Sequence, residues 1–155
     1  MLRIVHAEAG RNLEHGSSLI REYASSLGFD LGFQDFEEEL AALPGDYGLP
    51  EGCLLVAFHG RQPAGCVALR KLREGICEMK RLYVKPHFRG AGIGRGLAEQ
   101  VIEDARRRGY TTMRLDTIQA MTAGNGLYHS LGFREIAPYY DNPIEGAVFM
   151  ELDLT

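Results

Sequence analysis

Glycine stands at positions 90, 92, 94 and 96, flanked by Arg89 and Arg95, in the stretch HFRGAGIGRG. Glycine lets the backbone take positive φ and lets a ligand approach the main chain closely. Before this loop, ICEMKRLYVKP mixes β-branched, aromatic and apolar residues and stops at Pro86, as a strand does. After it, Ile93, Leu97, Val101 and Ala105 fall four apart, on one stripe of a helix. A strand, a glycine turn and a helix leave the first helical N–H groups without partners. Those donors, with a partial charge of roughly +0.5 from the helix dipole, form a site for anionic oxygens. The two arginines add full charges, so the chemistry to expect is the holding of a phosphate. Two common phosphate loops fail on spelling. G-x-G-x-x-G needs a sixth-position glycine where Arg95 or Leu97 stands, and G-x-x-x-x-G-K-[ST] needs a lysine that does not follow. What remains is Arg89-x-x-Gly92-x-Gly94.

That spelling, behind a strand ending Leu82-Tyr83-Val84 and ahead of an amphipathic helix, resembles the acetyl-CoA pyrophosphate motif of the GNAT superfamily of N-acetyltransferases. Downstream, Leu127-Tyr128-His129-Ser130-Leu131-Gly132-Phe133 is similar to that family's second signature, Leu-Tyr-x-x-x-Gly-Phe. The resemblance spans nearly the whole chain, with its specific letters in residues 76–97 and 121–136. It implies a mixed α/β fold: a sheet of about seven mostly antiparallel strands, helices on both faces, and a central strand pair, 76–84 and 112–117, that splays apart. It also implies acetyl-CoA as the acetyl-donor co-substrate. The main chain of Leu82, Tyr83 and Val84 is then expected along the pantetheine and thioester. The N–H groups of Arg89, Gly90, Ala91, Gly92, Ile93 and Gly94 are expected on the pyrophosphate, with Arg95 beside them. A backbone N–H near Leu82 would serve the thioester oxygen as a single oxyanion donor.

The same resemblance assigns roles to side chains. Tyr128 takes the place of the family's general acid, and a phenol with an ordinary pKa near 10 keeps its proton at neutral pH. Packing on Phe133 is the structural alternative for that ring. Glu78 lies four residues before Leu82, where histone-type members carry a base. Strand alternation would put Glu78, Lys80, Leu82 and Val84 on one face. An ordinary ion pair of Glu78 with Lys80 or Arg70 is an equal alternative. The family often has Asn seven residues before the tyrosine and Ala four before. Here Met121 and Gly124 stand there, so the Asn contact to the cofactor is missing or supplied by Asn125. The acceptor pocket is expected between residues 28–50 and 137–146. Tyr139 and Tyr140 would form an aromatic wall and Asp141, with Asn142, an anionic seat for an ammonium group. Turn chemistry accounts for Asp-Asn-Pro equally well.

The activity implied is direct acetyl transfer, in a ternary complex, to a primary amine of a small molecule, amino acid or peptide. The alternative is a CoA- or acyl-CoA-binding regulatory module without catalysis; Met121 favours it and Tyr128 opposes it. A homodimer accords with family habit.

Composition sets the outer bounds. A chain of 155 residues suits one domain, residues 1–155, with room for a core. Apolar residues at 45% and charged residues at 25% exclude a disordered chain. A net charge of −4 argues against nucleic acid as a general partner and is compatible with a cationic amine. Cys53, Cys66 and Cys77 show no C-x-x-C spacing, which suits reduced thiols in a cytoplasmic protein. The histidines form no H-E-x-x-H, so no metal is expected. No apolar run reaches membrane-spanning length and no signal-peptide core is present, so no membrane partner is expected.

The remaining chain reads as the scaffold for these residues. Leu2 to Glu8 reads as a strand, and 13–27 as a helix ending at Gly28. Phe33, Phe36, Leu40 and Leu43 predict a short helix stopped at Pro44-Gly45, whose Glu37-Glu38-Glu39 run reads as a solvated face or as a wall of the amine pocket. Residues 53–59 and 64–71 form a meander leading to 76–84. The long helix ends near Gly109. A strand at 112–117, a helix at 121–131, strands at 133–136 and 147–152, and a loop at 137–146 complete a mixed α/β layer fold.

Overall fold

The computed structural model describes residues 2–28 and 30–155. Met1, Phe29 and the side chain of Phe33 lie outside the described residues, which removes parts of the expected acceptor region from view. Seven strands form one sheet in the order β1-β2-β3-β4-β5-β7-β6. They are β1 (Leu2–His6), β2 (Cys53–His59), β3 (Gln62–Arg73), β4 (Ile76–Val84), β5 (Thr112–Ile118), β6 (Arg134–Ile136) and β7 (Ala147–Asp153). Every neighbouring pair is antiparallel except β4 and β5, which run parallel. The helices are α1 (Gly10–Ser26), α2 (Phe36–Ala42), α3 (Ile93–Arg107) and α4 (Thr122–Ser130). Single 3₁₀ turns at Gly32–Gln34, Gly45–Tyr47 and Pro86–Phe88 join them.

Strand alternation divides the core into two layers. On β2, Cys53, Leu55 and Ala57 face α3, while Leu54, Val56 and Phe58 face α1 and α2. Ile93, Leu97, Val101 and Ala105, the stripe read from the sequence, are each at most 2% exposed. Leu19, Ile20, Phe36 and Leu40 bring α1 and α2 onto the opposite face. Leu127, Tyr128 and Leu131 of α4 pack with α3. Burial of these faces stabilises the sheet by about 25 cal/mol per Å² of apolar surface.

Two features of β4 position everything that follows. First, β4 pairs with β5 only at Ile76–Thr112, Cys77–Met113 and Glu78–Arg114. Beyond these residues the strands diverge, as the resemblance implies, and the β4 edge toward Val84 has no strand on that side. Second, β4 carries a bulge. Cys66 pairs with Tyr83 and Ala68 with Lys80, so Arg81 and Leu82 together oppose Val67 alone. Arg81 takes φ 62°, a conformation that non-glycine side chains adopt rarely. The extra residue reverses the alternation. Glu78 and Lys80 stay on the α2 side, whereas Leu82 and Val84 turn to pack with the α3 layer. The expectation that all four share a face is therefore corrected: period-2 reading fails wherever a residue is inserted.

Candidate active site

The turn between β4 and α3 has the form required of an anion cradle. Gly90 and Gly92 sit at φ 85° and 80°, and Gly92 precedes the first residue of α3. This conformation turns successive amides outward, and among the described residues the amides from Gly90 to Arg95 donate to no backbone carbonyl. A Cβ built on Gly90 or Gly92 meets no atom within 4 Å, so the space beside the loop is open to a ligand. Arg89 lines the cleft, its Nε donating to the Val84 carbonyl at 3.0 Å and its guanidinium 5.9 Å from the Tyr83 ring centroid. Arg95 is different. Its guanidinium, about half exposed, donates to the Ser130 hydroxyl and lies 3.6 Å from Glu99.

From this loop a cleft of about 620 Å³ runs between the diverging strands. Leu82, Tyr83 and Val84 form one wall, and Thr117, Met121, Gly124 and Leu127 the other. Tyr23, Leu82, Thr117, Met121 and Tyr128 line both this cleft and a narrower cavity of about 70 Å³ at its inner end. Gln34 and Lys80 in turn line both that cavity and a third, of about 480 Å³, against α2. The three spaces adjoin in series through shared lining residues, the first at the cradle, the second beside Tyr128 and the third under α2.

Tyr128 serves two ends at once. Its ring packs edge-on against Phe133, centroids 5.8 Å apart, while the residue lines the junction. Among the described residues its hydroxyl has no hydrogen-bond partner. Burial, with smaller contributions from Tyr23 and Asp116, pushes the phenol pKa well above 10, so the group holds its proton at any physiological pH.

Glu78 is 1% exposed and both its oxygens are engaged. Arg70 Nε donates to Oε1 at 2.8 Å and the Tyr139 hydroxyl donates to Oε2 at 2.6 Å. Burial alone would raise its pKa, but Lys80, the Tyr139 hydroxyl and Arg70 outweigh it and hold the carboxyl below its ordinary 4.5. A carboxylate so occupied and so stabilised is a weak proton acceptor.

A different carboxylate, Asp116 of β5, occupies the throat. Its Oδ2 accepts from the Tyr140 hydroxyl, from Asn142 Nδ2 at 3.0 Å and from Gln34 Nε2 at 3.4 Å. Its Oδ1 accepts from none of the described residues. Tyr140 lines the cavity under α2 and its hydroxyl donates to Asp116, whereas Tyr139, expected beside it as part of an aromatic wall, lines none of these cavities and donates to Glu78. Asp141, expected as the anionic seat, is exposed and lines none of these cavities. Asn125 is corrected likewise. Its Nδ2 donates to the Ile118 carbonyl at 3.0 Å, closing the β5–α4 connection, and the residue does not line the cleft. Sequence reasoning missed Asp116, Gln34 and Lys80. The available signal was one carboxylate inside Met113-Arg114-Leu115-Asp116-Thr117-Ile118, where an unpaired acid in a central strand calls for a partner.

Replacing Gly92 by valine tests the cradle. The positive φ costs a β-branched residue about 1–2 kcal/mol, and its side chain enters the space beside the amides. The expected result is a fall in acetyl-CoA affinity of more than about tenfold, one decade per 1.4 kcal/mol, in a protein that still folds. Calorimetric titration of the variant checks it.

Comparison with known proteins agrees with this geometry. Residues 17–133 match the model of the Acetyltransferase (GNAT) family. An uncharacterized N-acetyltransferase of Schizosaccharomyces pombe is 40% identical over 147 residues, covering 94% of this chain and 90% of that protein. A GNAT-family acetyltransferase from Staphylococcus aureus superposes with a TM-score of 0.81 at 21% identity over the full length of both chains, a likeness of fold. A Bacillus subtilis acetyltransferase crystallised in complex with CoA superposes with a TM-score of 0.72 at 25% identity, again over the full length of both. Among the described residues no helix is long and apolar enough to cross a membrane. With residues 17–133 matching the family model and a relative 40% identical over 94% of its length, the chain belongs to the GNAT family of acetyltransferases, N-acetyltransferases that take acetyl-CoA as their co-substrate.

Proposed function

We propose that the chain, acting as one domain, transfers acetyl directly from acetyl-CoA to a primary amine held in the same complex. The observation that carries this is the pair of adjoining cavities that run from the glycine cradle, past Tyr128, to Asp116. The diphosphate rests on the amides from Gly90 to Arg95, and the pantetheine lies along Leu82, Tyr83 and Val84. The amine enters from the α2 side and meets Asp116 Oδ1. There it gives up a proton, directly or through a water, and its lone pair attacks the thioester carbon. The C–N bond forms, the tetrahedral oxygen takes a hydrogen bond from an N–H near Leu82, and the nitrogen releases its second proton to solvent, as Asp116 later does the first. The C–S bond then breaks, and the departing thiolate takes the Tyr128 proton, which solvent later restores. Glu78 acts as a positioning anion that fixes Arg70 and Tyr139.

A thiol-release assay with acetyl-CoA and a panel of amines, amino acids and peptides tests the reading. Stoichiometric CoA release with an N-acetylated product supports it. Binding of acetyl-CoA with no acceptor turned over would favour a regulatory module instead. Two substitutions divide the carboxylates. Asp116→Asn is expected to lower kcat/KM for the amine about 10²-fold without changing acetyl-CoA affinity. Glu78→Gln is expected to keep the shape of the pH–rate profile and to lose stability. The sign follows from a depressed folded-state pKa: stability from Glu78 is full above 4.5 and is lost as pH falls through the lower folded value. Acid unfolding of Glu78→Gln should therefore lack that part of the wild-type transition. Loss of the acidic limb of the rate profile in Glu78→Gln would restore Glu78 as the base.

A further inference from the structure

The throat between the second and third cavities holds a cation whose partners are incomplete. The Lys80 side chain is 8% exposed and lines both cavities. Its ammonium donates to Gln34 Oε1 at 3.2 Å, a neutral acceptor. The nearest carboxylate oxygen is Glu78 Oε1 at 3.9 Å, and Glu78 is already committed to Arg70 and Tyr139. The other cation of the throat is fully matched, since Arg81 forms a two-point ion pair with Glu39 at 2.8 and 3.0 Å. A desolvated ammonium with a single close neutral acceptor is costly unless an anion joins it.

Gln34 sets the geometry. One end of its amide meets Lys80, and the other, Nε2, lies 3.4 Å from Asp116 Oδ2. Covalent amide dimensions then set the lysine and aspartate charges at most about 9 Å apart across one side chain. An α-amino acid has its nitrogen and carboxylate about 3 Å apart and needs roughly 2.8 Å for a charge-assisted hydrogen bond at each end, a reach that falls within that limit. Resting on the acetyl-transfer reading above, we propose that the acceptor is a free α-amino acid, its amine at Asp116 and its carboxylate at Lys80. The side chain of that amino acid extends into the cavity under α2. A polyamine fits poorly, because a second ammonium would pass directly by Lys80. A peptide N-terminus fits poorly as well, because a neutral amide replaces the carboxylate.

The test compares amino acids with their own decarboxylated amines and carboxamides, for example phenylalanine with phenethylamine and lysine with cadaverine, across the proteinogenic set. Affinity is measured by calorimetry on the protein saturated with CoA, so the result does not depend on turnover. CoA binding by itself checks the acetyl-transfer reading separately. The expected result is at least one amino acid bound more than tenfold tighter than its amine and its amide. Lys80→Met should reduce that preference to under twofold, and Lys80→Arg should retain most of it. Circular dichroism identifies a misfolded variant, in which case the wild-type comparison decides alone. Equal or tighter binding of the amines or amides, no binding of any amino acid, or a preference untouched in folded Lys80→Met would overturn the assignment.

Discussion

Replacing Tyr128 by phenylalanine is expected to lower kcat by about 10²-fold, the lower end of what a positioned general acid contributes, with affinity for acetyl-CoA unchanged. The asymmetry follows from where the hydroxyl lies. The ring makes the contacts that matter for packing, edge-on to Phe133 and within the α3 layer, and phenylalanine keeps them. The hydroxyl makes no hydrogen bond among the described residues, so its removal leaves no buried partner behind and folding stability is preserved. In the proposed mechanism, what disappears is the proton for the departing thiolate. Because burial pushes that phenol upward, the wild-type enzyme should show no loss of its acid form as pH rises through 10. Steady-state rates with paired calorimetry give the answer. A Tyr128→Phe enzyme with undiminished kcat would remove the residue from the chemistry.

Arg81→Met is expected to lower stability by about 3–5 kcal/mol, the cost of breaking one side of a buried ion pair. The arginine side chain is 3% exposed and Glu39, its partner, 16%. Arg81 also donates to Gln34 Oε1 at 2.8 Å and stacks 5.4 Å from the Phe36 ring centroid. One guanidinium on the β4 bulge thus fastens α2 and the 32–34 turn to the sheet. Its loss leaves the Glu39 carboxylate without its cation in a poorly solvated place. For a domain of this size the melting temperature should fall by roughly 10 °C. Removing the stranded charge as well, in Arg81→Met with Glu39→Met, should recover a large part of the loss. The acceptor side should suffer before the donor side. Gln34 loses an anchor, so KM for the amine rises while acetyl-CoA affinity is kept. Lysine at 81 is a poor substitute, since it cannot make the two-point contact.

The pattern of what the letters disclosed follows from which interactions are local. The cradle was readable because glycine spacing and a helix stripe are short-range signals; the amides from Gly90 to Gly94 bond to no backbone carbonyl among the described residues, whereas the Arg89 amide, expected with them, is taken by the Pro86 carbonyl at 3.2 Å. The splaying of β4 and β5 came from the resemblance, and the two strands pair only at their first three residues; Tyr128, also named from the resemblance, lines the cavities between them. The acceptor side was readable only in outline. The bulge at Arg81 and Leu82 carries no spelling, since nothing in Lys-Arg-Leu-Tyr marks an inserted residue, and it moved Glu78 and Lys80 away from the face of Leu82. Glu78 was selected by its distance from Leu82 along the chain, yet its availability is decided by Arg70 and Tyr139, which arrive from β3 and the 137–146 loop. Asp116 acquires meaning only when Gln34, Tyr140 and Asn142 converge on it from positions up to 82 residues distant. The Arg95 charge was legible, but its capture by Ser130 was not, because that partner lies 35 residues away.

A crystal structure with CoA and an amino acid bound tests the central claim most directly. The account predicts the diphosphate within hydrogen-bond distance of the amides from Gly90 to Arg95, the sulfur beside the Tyr128 hydroxyl, and the acceptor nitrogen at Asp116. A diphosphate seated away from these amides, or a sulfur on the far side of Leu82 from Tyr128, would contradict it.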